Sequence, residues 1–165
     1  MKNQTKQIAL CGMMAAVGVV ILLIGSVLGL GIYLAPIVAG ILPVSLEKFC
    51  PRRNQVMLWV LVSALAFRVV PEVEETMMYS LFFGWYPILY PDLVKLPKGL
   101  RLLVKLLLFN VAFLVVEFLV MWVLVPQMVQ TWYLVILIVL GNAMFLCYDR
   151  MIPVVIFLMK KRRKA

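Results

Sequence analysis

Two charged residues, Arg68 and Glu117, lie deep inside otherwise apolar stretches of the sequence. If helices begin near Asn54 and Arg101, a rise of roughly 1.5 Å per residue places Arg68 roughly 21 Å and Glu117 roughly 24 Å from those starts. An ion pair at this shared depth would remove the cost of burying either charge alone. We predict this pair, which either locks two helices together or forms the wall of a polar pocket.

Other polar and aromatic side chains are candidates for the same pocket. Tyr33 and Asn142 join Arg68 and Glu117 as the predicted ligand-binding residues. For most aromatic residues in such a sequence, a place at a membrane interface is the competing interpretation. Asn110 and Asn142 are expected to form hydrogen bonds between helices, because an amide in apolar surroundings needs a partner.

Further charged groups suggest a negatively charged region and a second ion pair. Glu72, Glu74 and Glu75 follow one another closely and either attract a cationic ligand or form a solvated loop. Asp149 is placed to meet Lys105 from a neighbouring helix.

The residues that most enzymes need are missing. The chain has no histidine, and its three cysteines are far apart in sequence. It also lacks the HExxH, GxSxG and Walker motifs of hydrolases and nucleotide-binding proteins. We therefore predict no catalytic residue, no metal site and no cofactor, and a protein that is not an enzyme.

The elements that position these residues must be membrane helices. The 165 residues are 65% hydrophobic and only 14% charged, and their mean hydropathy is +1.08. Because soluble domains are about half apolar, this composition predicts an all-α integral membrane protein.

Polar breaks and prolines divide the chain into a compact bundle of six transmembrane helices in one domain, 1–165. The first apolar run has no cleavage site after it and is interpreted as a retained span. The fourth helix is short and interrupted at the prolines after Gly84, with a re-entrant hairpin as the alternative. The sixth helix is long and is expected to kink near Pro153. The predicted spans are 8–26, 33–46, 55–70, 76–90, 100–125 and 130–159.

The distribution of charge predicts the orientation. Lysine and arginine are retained on the cytoplasmic side, and the six-span division places nearly all of them at one end. Both termini are then cytoplasmic and the three glutamates are external. The net charge of +9 follows from this topology, so the bilayer is the expected partner and nucleic acid is not. The predicted location is the plasma membrane.

Gly12 and Ala16 form a small-xxx-small pair in the first predicted helix. Small side chains at this spacing let a second helix approach closely. The pair either packs inside the bundle or docks another membrane protein.

With its length, six predicted spans, cytoplasmic termini and small-residue first helix, the chain resembles the substrate-binding S components of bacterial energy-coupling-factor transporters. In that family an Ala-x-x-x-Ala pattern docks the S component onto a transmembrane coupling subunit that works with ATPases. Gly12 and Ala16 are the matching positions here. The resemblance implies a vitamin-like micronutrient bound near the outer face and covered by the connection at 27–36.

A non-catalytic membrane scaffold or assembly protein, similar to the rod-shape protein MreD, is the alternative. Such a protein is also small, spans the membrane several times and lacks catalytic residues. A transporter subunit is the preferred interpretation.

Overall fold

The computed structural model describes the backbone of residues 2–29, 33–46, 51–123 and 131–161, and every regular element in this part of the chain is helical. The elements form six helical segments, two of which are interrupted. The helices are α1 (Lys2–Leu28), α2 (Leu34–Gly40), α3 (Leu42–Leu46), α4 (Arg52–Val69), α5 (Val73–Met78), a π-helix (Tyr79–Phe83), α6 (Tyr86–Leu93), α7 (Lys98–Val123) and α8 (Thr131–Lys161).

The six segments coincide with the six predicted helices, and their ends differ. Helix α1 begins at Lys2 instead of Ile8, and α4 begins at Arg52 instead of Gln55. The second predicted helix is broken at Ile41 into α2 and α3. Pro43 follows this break by two residues, and its missing N–H and its ring disfavour a continuous helix. Residues 30–32 of the predicted connection at 27–36 and residues 47–50 of the predicted loop at 47–54 lie outside the described residues.

Helix α1 packs along α4 through a stripe of small and apolar residues. Cys11, Ala15 and Leu22 are buried at helical spacing, and Gly18 lies between them. A Cβ on Gly18 would be 3.1 Å from a methyl group of Val62 in α4, so the two helices are in close contact there. This buried face of α1 is distinct from the face that carries Gly12 and Ala16.

The fourth segment is interrupted near Gly84, as predicted from its prolines. The π-helix ends with the Gly84 N–H bonded to the Tyr79 carbonyl, and a turn at Gly84 and Trp85 leads into α6. Pro87 has no N–H to offer the carbonyl of Phe83, four residues earlier. The hydroxyl of Tyr148 in α8 donates to that oxygen at 3.3 Å and so satisfies the group that the proline leaves open.

An aromatic cluster fills the space between the π-helix, α6, α7 and α8. Phe109 and Phe145 stack with ring centroids 4.8 Å apart, and Phe82 contacts both rings edge-on. Tyr86 stacks on Phe82 at 4.8 Å. These large rings are fully buried, so this cluster joins the fourth, fifth and sixth segments into one core.

The outer surface of the longest helices is apolar. Thr5–Leu28, Lys98–Val120 and Val135–Leu158 are each long and apolar enough to cross a membrane. Large apolar side chains such as Phe118 and Phe157, 66% and 64% exposed, point away from the bundle. Apolar patches of this extent would be unfavourable in water. The three helices therefore indicate a membrane protein.

Candidate functional site

Two of the predicted ligand-binding residues meet at one end of the bundle. The hydroxyl of Tyr33, which directly precedes α2, donates to Oε1 of Glu117 in α7 at 3.1 Å. The Tyr33 ring lies against Phe113, one helical turn before Glu117, with ring centroids 6.1 Å apart. Glu117 is only 5% exposed, so its carboxylate lies on the side of α7 that faces the bundle, and the tyrosine orients it.

Helix α5 brings two more carboxyl groups to this end, just before the span predicted at 76–90. Burial, followed by the nearby charges of Glu117 and Glu72, raises the pKa of Glu74 to about 7. Burial, followed by the charge of Glu72, raises the pKa of Glu75 to about 7. Both side chains therefore bind a proton more readily than an ordinary glutamate does.

Glu75 has the most unusual environment of these groups. It is 1% exposed, and its Oε1 atom has no hydrogen-bond partner. That atom lies 3.0 Å from the point where a Cβ on Gly25 would be, between α1 and α2. A buried carboxylate without a partner is costly, so this oxygen requires a proton or a cation. From the sequence, Glu75 was expected in an external acidic cluster that attracts a cation or forms a solvated loop, and its burial was not predicted.

Tyr33, Glu117, Glu74 and Glu75 form what we call the Tyr33–Glu117 group, and Arg68 does not belong to it. It is exposed on the last turn of α4, and the predicted Arg68–Glu117 ion pair is not formed in the described part of the chain, where Glu117 bonds to Tyr33 instead. The buried stripe of α4 runs through Leu58, Val62 and Ala66. At about 100° per residue, Arg68 is turned about 200° from Ala66 and so faces away from the bundle.

Asn142 forms a closed pair with Asn110, which confirms the predicted hydrogen bond between these helices. Each side-chain nitrogen donates to the other's oxygen at 2.9 Å. Each also donates at 2.8 Å to a carbonyl of its own helix, at Leu106 and Ile138 respectively. Both N–H groups of each amide are used, so Asn142 holds α8 to α7 and has no free donor for a ligand.

The predicted contact between Lys105 and Asp149 is also present. The Lys105 ammonium binds both carboxylate oxygens of Asp149, at 2.7 and 2.9 Å, and lies 4.3 Å from the ring centre of Tyr90. Asp149 accepts a further hydrogen bond from the hydroxyl of Tyr86. This network joins α6, α7 and α8, and its charges are matched.

Gly12 and Ala16 lie on the exposed face of α1. A Cβ added to Gly12 would meet no atom within 4 Å, and Ala16 is exposed, whereas the adjacent Ala15 is 3% exposed. The pair therefore makes no close helix contact within the described part of the bundle.

Comparison with known proteins gives no relative. No protein family, curated protein or solved structure matches this chain. The site must therefore be interpreted from its own geometry.

Proposed function

We propose that the protein is the substrate-binding subunit of a membrane transporter that takes up a small, vitamin-like micronutrient. In this proposal six helical segments cross the plasma membrane, both termini are cytoplasmic, and α5 is at the outer end. The topology is supported by the charges of the helix ends, with glutamates before and within α5 and lysine or arginine at the starts of α4 and α7.

The observation that carries the proposal is the Tyr33–Glu117 hydrogen bond beside the carboxyl groups of α5. It joins two segments that are distant in sequence and holds a buried carboxylate at the end of the bundle that the proposal assigns to the outside. Ionisable groups at membrane depth commonly mark a substrate pathway. Because the group contains several carboxyls and Arg68 points away, the ligand that suits it carries a positive charge, such as an amine or a cationic ring.

A substrate-binding subunit of this kind also needs a surface that docks its partner, and in this proposal the exposed face of α1 is that surface. Gly12 and Ala16 leave room for the close approach of a partner helix. In the proposed function that partner is a transmembrane coupling subunit driven by ATPases. A scaffold similar to MreD would use the same face and would leave the Tyr33–Glu117 group without a ligand.

The experiment that tests the proposal is ligand binding by the purified protein. Thermal shift in detergent with a panel of cationic, neutral and anionic micronutrients is expected to give stabilisation by cationic compounds. Glu117→Gln should raise the ligand concentration needed for this stabilisation at least about tenfold, since a charge-assisted contact is lost. Asp92→Asn is the matched control, because it removes an acidic group from the last turn of α6, at the opposite end of the bundle from Glu117.

Two results would count against a transporter subunit. One is the absence of stabilisation by any member of the panel. The other is equal weakening by Glu117→Gln and Asp92→Asn, which would show only a general effect of charge.

A further inference from the structure

The end of the bundle opposite the Tyr33–Glu117 group contains a cavity that the proposed function does not use. It has a volume of about 300 Å³ and lies between the end of the second segment, the start of α4 and helix α6. Its lining residues are Val44, Pro51, Arg52, Gln55, Pro87, Ile88 and Pro91. Five of these seven residues are apolar, and Arg52 and Gln55 bring a guanidinium and an amide to the wall.

Gln55 brings the amide of this wall to the cavity. Gln55 is 7% exposed, and its side chain makes no hydrogen bond within the described part of the chain. A buried amide normally has partners, because leaving its donors and acceptor unpaired costs free energy. Since Gln55 lines the cavity, a polar group inside the cavity would supply the missing hydrogen bond.

The start of α4 makes the cavity attractive to an anion. Pro51 is the N-cap residue and gives no side-chain cap, so the N–H groups of Arg52 and Arg53 at the start of this 18-residue helix have no capping acceptor in the described part of the chain. The first turn also carries Arg52 and Arg53 and no acidic residue. Positive charge at the positive end of the helix dipole is unfavourable. An anion there would accept hydrogen bonds from the uncapped N–H groups and neutralise this charge.

Among the described residues, Asp92 is the acidic side chain that contacts Arg52, and it does not fill this role. Asp92 binds Nη1 of Arg52 at 2.6 Å, and it also binds Lys95 at 2.8 Å. It is not among the residues that line the cavity. Arg52 has further N–H donors beyond Nη1, and a planar guanidinium suits the oxygens of a phosphate.

We propose that this cavity binds the phosphate group of an anionic phospholipid. The phosphate oxygens accept from Arg52, from the amide of Gln55 and from the first N–H groups of α4. The glycerol and the first acyl carbons lie against Pro87, Ile88 and Pro91. The apolar part of the wall favours a lipid over free phosphate, which has no apolar part to bury.

The test uses the full chain in detergent, titrated with phosphatidylglycerol and, separately, with inorganic phosphate. Binding is counted by native mass spectrometry, and stabilisation is followed by thermal melts. Phosphatidylglycerol should remain bound and raise the melting temperature, and millimolar phosphate should do neither. Arg52→Gln and Gln55→Leu should each weaken lipid binding about tenfold, as expected for the loss of a charge-assisted or buried hydrogen bond.

Arg53→Gln is the matched control, because it removes the same charge from the neighbouring residue, which does not line the cavity. It should change lipid binding less than about twofold if the contact is local. Gln55→Leu leaves the Arg52–Asp92 ion pair intact, so its effect cannot come from loss of that pair. Equal losses in Arg52→Gln and Arg53→Gln, no loss in Gln55→Leu, or equal stabilisation by inorganic phosphate would each overturn the proposal.

Discussion

Tyr33 and Glu117 are 84 residues apart in sequence and are joined by a hydrogen bond of 3.1 Å between the tyrosine hydroxyl and Oε1 of the carboxylate. The bond ties the start of α2 to the C-terminal part of α7. It is partly buried, and it lies beside the carboxyl groups of α5. The position of Tyr33 therefore depends on a residue that a ligand in this group would also contact.

The Tyr33–Glu117 bond should be visible as a coupling energy. Tyr33→Phe and Glu117→Gln should each destabilise the bundle, and the double variant should lose less than the sum, by about 1 to 2 kcal/mol. Chemical denaturation in mixed micelles measures the change in free energy of unfolding for each single variant and for the double variant. The matched cycle with Arg68→Gln and Glu117→Gln should be additive within about 0.5 kcal/mol, because these side chains do not meet. If Arg68 and Glu117 were coupled and Tyr33 and Glu117 were not, Arg68 would be the partner of Glu117 and this assignment would be wrong.

The carboxyl groups of α5 make stability depend on pH. Their folded pKa values of about 7 lie above the ordinary 4.5, so the folded state binds more protons than the unfolded state between these values. Stability should therefore be highest below about pH 4.5 and fall as the pH rises towards 7. Glu74→Gln with Glu75→Gln should flatten this slope in thermal melts.

Asp92 provides the control for that pH series. Its hydrogen bonds to Lys95 and Arg52 lower its pKa below the ordinary 3.8, so its contribution is lost only as the solution becomes more acidic than that value. Asp92→Asn should leave the slope between pH 4.5 and 7 unchanged. A slope that persists in the double glutamine variant would show that other groups titrate on unfolding.

The Lys105–Asp149 pair should behave as a buried ion pair. Lys105→Met alone leaves a buried carboxylate with only Tyr86 as a partner, and should cost about 3 kcal/mol or more. Adding Asp149→Asn should recover a large part of that loss, because neither charge then remains buried alone. Unfolding melts of the single and double variants measure this. Losses that simply add would show that the two charges are not coupled.

Some of these contacts follow from sequence, because polar side chains in apolar helices need partners. This reasoning predicted Asn110 with Asn142 and Lys105 with Asp149. It failed for Arg68, because depth along a helix gives no information about which side of the helix a residue faces. The burial of Glu75 was not predictable from its acidic neighbours. It depends on the packing of α5 against Gly25, a contact between distant parts of the chain.

The orientation of the chain can be tested with reporter fusions. Fusions after Arg53, Lys98 and Ala165 should be cytoplasmic, and one near Glu74 should be external, since basic residues are retained inside. Paired phosphatase and fluorescent-protein reporters give opposite signals on the two sides and so control for expression. An external reporter at Lys98 would rule out the six-span topology.

The face of α1 that carries Gly12 and Ala16 gives the last prediction. Ala16→Trp should leave the isolated protein folded, because Ala16 is exposed and open space surrounds the neighbouring Gly12. It should block assembly with a coupling subunit, since a bulky side chain prevents close helix approach. Ala15→Trp is the matched control, because Ala15 is 3% exposed and a tryptophan there should disrupt the packing of α1 in the bundle. Size-exclusion profiles, thermal melts and co-purification with a co-expressed coupling subunit separate the two variants. If Ala16→Trp melts or aggregates as Ala15→Trp does, the face is internal packing and the docking assignment is wrong.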